Sequence, residues 1–150
     1  MENKNLKKMV ESEMRKRGLM EQEMMGETSP IVEMVSKLRF SVEQTQVYHW
    51  QSQSYSEHIA LNEYYDGIPD IVDGIVESYQ GKHGILKGYT PAERFADYSK
   101  ETATKYFKAL ATYVDRIYNK IPKEDTNIIN QLDTFKDLIY TTIYKLENLQ

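Results

Sequence analysis

Between Pro30 and Gln150, apolar residues return every three or four positions, and no stretch of strand length alternates apolar with polar. That period is the turn of an α-helix laid against a core, so the chain is all-α. Four segments carry it. The first opens at Ser29-Pro30, an N-cap with proline at the first helical position, and presents Ile31, Met34, Val35, Leu38, Val42 and Thr45 before ending near His49-Trp50. The second opens on Ser54-x-x-Glu57, a capping box, and presents Leu61, Tyr65, Ile68, Val72, Ile75 and Tyr79, stopping before Gly81. Ala103, Phe107, Leu110, Val114, Ile117 and Ile121 mark the third, which Pro122 closes. The fourth starts at Asp125 or Thr126 and runs through Ile128, Leu132, Phe135, Ile139, Ile143 and Leu146.

Two prolines modify this plan. Pro69 removes a backbone donor inside the second segment, which predicts a kink or break near Gly67. Thr90-Pro91-Ala92-Glu93 has the form of another capping box and predicts a short helix through about Tyr98. Residues 30–150 therefore read as a four-helix bundle with a short helix in the second-to-third connection.

Residues 1–29 stand apart. Six of the seven methionines fall there, at 1, 9, 14, 20, 24 and 25, with Lys4, Lys7, Lys8, Arg15, Lys16 and Arg17. This is an N-terminal extension, read first as a loosely docked surface segment. A Met-rich docking helix for a protein partner and a basic arm for DNA are the functional alternatives.

Composition narrows the chemistry. The chain has no cysteine, which removes disulfides, thiolate nucleophiles and cysteine metal sites. A net charge of −4 argues against nucleic-acid binding by the whole surface. No apolar run is long enough for a membrane span, and the opening MENKNLKKMVESEM lacks the apolar centre of a secretory leader, so a cytoplasmic protein is expected. There is no nucleophile elbow, and GKHGILKG is not a phosphate loop. His83, within it, reads as a solvated histidine.

The unusual chemistry lies between His49 and Glu77. His58, Asn62, Asp66, Asp70, Asp73 and Glu77 follow steps of three or four and share one helix face, which by itself describes any acidic surface. His58 and Asp73 are 15 residues apart, roughly 22 Å along a straight helix. One chain cannot bring them to one ion. Two copies of this helix packed antiparallel can: crossing at Gly67-Ile68, they set His58 against the partner's Glu77 and Asn62 against the partner's Asp73. With His49 from the preceding helix, the result is a mixed nitrogen–oxygen set suited to iron or zinc, twice per two-fold dimer.

His49-Trp50, His58, Asp73 and Glu77, followed by a connection and two further long helices, resemble the Dps family of ferritin-like proteins over residues 30–149. The resemblance implies a ferritin-like bundle, a hollow oligomer and oxidation of ferrous iron at sites shared by two-fold-related subunits. It assigns His49 and His58 as ligands from one subunit, with Asp73 and Glu77 from its neighbour. Asn62 stands where the family has an aspartate ligand. Trp50 is a packing residue at the helix end, or a sink for reactive intermediates beside the iron. No Glu-x-x-His occurs, which disfavours the intrasubunit di-iron centre of ordinary ferritins. Such a divergent pattern fits a phage-encoded relative, and the alternative function is a non-catalytic adaptor, for instance a virion component, working through the arm 1–29.

Overall fold

The computed structural model describes the backbone of residues 2–26, 29–90 and 93–150, with side chains for 4–16, 29–90 and 93–150. Its helices are α1 (Glu2–Gly26), α2 (Pro30–Gln51), α3 (Tyr55–His83), α4 (Lys100–Tyr118) and α5 (Thr126–Asn148), and no strand occurs among the described residues. Proline at the first position starts α2, as its fixed φ favours. Asp125 precedes α5. In α4 the cap is Ser99, whose hydroxyl accepts from the Thr102 amide at 3.0 Å.

The apolar stripes meet in one core. Met34, Leu38, Leu61, Ile68, Ile75, Phe107, Val114, Leu132, Phe135 and Ile139 are fully buried. On α3 the aromatic turned inward is Tyr64, with its hydroxyl 2.9 Å from Ser41 Oγ, whereas Tyr65 is only half-buried. The polar tip of Tyr64 thus finds a partner inside the bundle.

Contacts between elements give the topology. α2 packs on α3, α3 on α5, α5 on α4, and α4 closes the ring on α2. A three-residue turn makes α2 and α3 antiparallel. The chain then returns along α2: Thr90 reaches Ser36, Phe95 stacks on Phe40, Ala96 pairs with Gln44 and Tyr98 bonds Gln51, ascending together. α4 accordingly starts beside Glu57, paired with Lys100, and descends until Tyr113 lies under Lys37. α5 climbs back, from Asp125 beside Lys82 to Lys145 beside Glu63. The bundle has one long crossover, between its second and third helices.

That crossover departs from expectation. Pro91 and Ala92 lie outside the described residues, but residues 93–99 form no helix. Gln44, almost fully buried, accepts the Ala96 amide at 2.8 Å and donates to the Ala96 carbonyl at 2.9 Å. Gln51 accepts the Tyr98 amide at 2.6 Å. Side chains of α2 thereby supply the partners that a helix turn would have supplied.

Three other expectations are corrected. α3 runs unbroken through Pro69, whose exposed position lets solvent serve the carbonyl left without an amide. It continues past Gly81 to His83, where Gly84 at φ 96° caps it. The Ser54 hydroxyl makes no cap bond; it pairs with Ser56 at 2.9 Å, and Glu57 turns instead to Tyr98 at 2.7 Å.

α1 is helical for its whole length, and no contact joins it to the other helices among the described residues. Leu6, Met9, Val10 and Met14 are exposed, as are Lys4, Lys7, Lys8, Arg15 and Lys16; the side chains of Arg17, Met20, Met24 and Met25 lie outside the described residues.

Candidate metal centre

The three-residue turn between α2 and α3 forces the last turn of one helix against the first turn of the next, and His49 and His58 meet there. Their rings stack with centroids 3.5 Å apart and planes 25° from parallel. Each imidazole clasps the other residue's backbone: His49 Nδ1 lies 2.9 Å from the His58 carbonyl oxygen, and His58 Nδ1 lies 3.0 Å from that of His49. A carbonyl only accepts, so both Nδ1 atoms carry the hydrogen. In the neutral ring Nε2 is then the lone-pair nitrogen on both residues. This is the second-sphere arrangement that prepares histidine for a metal. The His49 carbonyl also accepts from Ser52 at 2.9 Å, satisfying the exposed end of α2.

The same geometry limits the pair. Lone pairs lie in the ring planes, and for rings stacked with centroids 3.5 Å apart and planes 25° from parallel those planes do not meet close to either ring. One ion at the usual ~2.1 Å nitrogen distance therefore requires one ring to turn. Nor does the chain complete the set alone: no group of three metal-ligating side chains is found among the described residues. Asp73 and Glu77 are exposed on the continuous α3, roughly 22 and 28 Å from His58 along the axis. The donor chemistry fits a divalent ion; the donor number within one chain does not.

Asn62 has a different employment from the one expected of a ligand. Its amide oxygen accepts from the Tyr65 hydroxyl at 2.8 Å, and its amide nitrogen donates to Asp66 at 2.6 Å. The Tyr65 ring meets His49 edge-on, centroids 5.3 Å apart. The asparagine thus links the carboxylate of Asp66 to the histidine pair through Tyr65, a connection that helix periodicity does not contain. Burial, and next the charge of Asp66, raise the Tyr65 pKa.

Gly67 does not open the outer face. A β-carbon there would lie 2.8 Å from Leu138 Cδ2, so the room it leaves is taken up by α5 of the same chain. The outer face of α2 and α3 offers instead a cleft of about 530 Å³, floored by Val35, Val42, Val72 and Val76 and edged by Arg39 and Asp73. Trp50, expected to pack, is 72% exposed beside the histidines, and Tyr55 is 81% exposed. His83 is not simply solvated. Its Nε2 lies 3.0 Å from Asp125, which also accepts from Lys82, and its ring packs on Tyr79 at 4.6 Å.

No helix among the described residues is long and apolar enough to cross a membrane. The sequence family described as "Family of unknown function (DUF5856)" matches residues 49–146, a span that begins at His49 and takes in α3, the crossover, α4 and most of α5. No curated protein and no solved structure matches the chain.

Proposed function

This chain belongs to the DUF5856 family, and we propose that it is a Dps-like iron-binding protein whose site is completed by a second copy. The observation that carries the reading is the reciprocal His49–His58 clasp, which holds two Nε2 lone pairs at one end of an antiparallel helix pair. The single long crossover supports it, because ferritin-like bundles have that connectivity. In this reading ferrous iron is the substrate and supplies electrons to peroxide or dioxygen. His49 and His58 bind it from one subunit, one ring turning out of the stack to do so, with Asp73 and Glu77 contributed by the neighbour. Asn62 and Tyr65 act by positioning, one holding Asp66 and the other bracing His49.

Electrostatics add a consequence. Asp66, Asp70, Asp73 and Glu77 are all exposed on α3, so two copies of this face repel until cations intervene. Divalent metal should therefore promote the dimer as well as bind to it. Native mass with and without metal reads this directly; a dimer indifferent to chelator counts against shared ligation. His58→Ala combined with Asp73→Ala should abolish iron binding and leave the helical circular-dichroism signal in place. Unchanged iron stoichiometry in that variant would end the proposal.

A second reading rests on α1. A helix with Leu6, Met9, Val10 and Met14 at helical spacing, all exposed and none in contact with the bundle, is built to dock. In an adaptor protein that arm is the working part and the bundle its support. Deleting residues 2–26 should then abolish partner capture while iron binding persists, and retention of every partner by the shortened chain refutes this reading.

A further inference from the structure

We propose that a second cavity, between α2, the crossover and α4, binds a compact alkylammonium cation. The cavity has a volume of about 220 Å³, and Phe40, Tyr106 and Tyr113 wall it while Glu33, Lys37 and Glu93 supply its charges. It lies on the α2–α4 side of the bundle, whereas the acidic face of α3 serves the iron reading; the two proposals are independent.

The walls are held in place. Phe40 stacks on Phe95 with centroids 5.5 Å apart and planes 10° from parallel. Tyr106 packs edge-on against Tyr48 at 6.0 Å and Phe107 at 5.5 Å. The crossover itself is pinned by the Ser36–Thr90 bond at 3.1 Å and the paired bonds of Gln44 to Ala96. Such a pocket exists before any ligand arrives, which lowers the cost of binding.

Its chemistry selects a cation. The face of an aromatic ring is electron-rich and attracts positive charge, and cages of such rings recognise quaternary ammonium groups. The Tyr113 ring already draws two cations: Lys37 Nζ lies 5.3 Å from its centroid and Arg116 Cζ 5.7 Å. The Tyr113 hydroxyl is buried without a well-formed hydrogen bond among the described residues. Burial, and next the Glu33 carboxylate, push its pKa up to about 12. Of the three charged groups that line the cavity, two are carboxylates and one is Lys37. Arg116 reaches the Tyr113 ring without lining the cavity, so the charges that face the cavity itself are mainly negative. Lys37 shares the aromatic wall with the ligand and acts as its built-in competitor.

Choline and its neutral isostere 3,3-dimethyl-1-butanol distinguish charge from shape, and the full chain can be titrated with each while tyrosine resonances are followed by NMR. Choline should bind about tenfold more tightly than the alcohol. The surface change Glu33→Gln with Glu93→Gln should weaken choline by about tenfold, and Lys37→Met should strengthen it. Equal affinity for choline and the alcohol overturns the cation assignment. Choline binding that ignores the paired glutamine change puts the cation elsewhere and likewise overturns it. Absence of choline binding to both the natural chain and the Lys37→Met variant removes the site.

Discussion

Helix α3 carries a histidine near each end, and the two are used in opposite ways. His58, in the first turn, gives its Nδ1 hydrogen to a neutral carbonyl of the preceding helix, and its Nε2 has no hydrogen-bond partner among the described residues. His83, in the last turn, directs Nε2 to the buried carboxylate of Asp125, with Lys82 on the same residue. A carbonyl orients an imidazole through one ring nitrogen and leaves the lone pair of the other available. A buried carboxylate held by a lysine and an imidazole ties segments together, here the end of α3 to the start of α5. The same residue type is thus part of a fastening at one end and, in the proposed reading, preparation for chemistry at the other. The partner of each ring decides which, and both partners lie outside the local sequence pattern.

The contrast is open to attack. The largest expected effect is on metal. His49→Ala with His58→Ala should remove iron binding, measured by equilibrium dialysis, while His83→Ala leaves it unchanged. Loss of iron from the His83→Ala protein would dissolve the distinction between the two ends. The next effect is on stability. Asp125→Ala strands Lys82 and His83 and should lower the urea midpoint more than the double histidine change does. The reverse ranking would make the α2–α3 clasp the fastening. Third comes Gln44→Leu, which hands the amide and carbonyl of the exposed Ala96 to solvent and should cost about 1 kcal/mol in urea unfolding, without effect on iron.

Much of this architecture can be read from local pattern, because the bundle helices are built by repeated apolar spacing and proline or capping starts. Ile31, Leu38, Ile68, Phe107 and Phe135 go where periodicity sends them. What escapes is whatever a distant side chain decides. Thr90 to Tyr98 has the composition of a helix, yet Gln44 and Gln51, about fifty positions earlier, take its backbone groups. Pro69 signals a break, but that inference assumes a carbonyl with nowhere to turn, and on an exposed face solvent serves it. At the candidate site, the spacing of His58, Asp73 and Glu77 defines what a second copy must bring. It does not contain the stacking of His49 on His58, which a turn of only three residues imposes, nor the bridge of Tyr65 and Asn62. Those are consequences of contact rather than of period.

The smallest effect is also the one with the most definite sign. Asp125 has its pKa lowered, first by the bond from Lys82 and then by that from His83, against the opposing effect of burial. A carboxyl whose folded pKa lies below its unfolded value of about 3.9 stabilises the fold fully above that value and loses the contribution as pH falls through the folded one. Unfolding free energy measured from about pH 5 down to pH 2 should therefore fall, and Asp125→Asn should remove part of that fall. The natural and Asp125→Asn proteins should differ most at the upper end of this range and converge at the lower. Proteins that stay equally far apart throughout would show that Asp125 acts by shape and hydrogen bonding alone. The fastening at the foot of α3 would then owe nothing to charge, and the contrast with His58 would rest on geometry only.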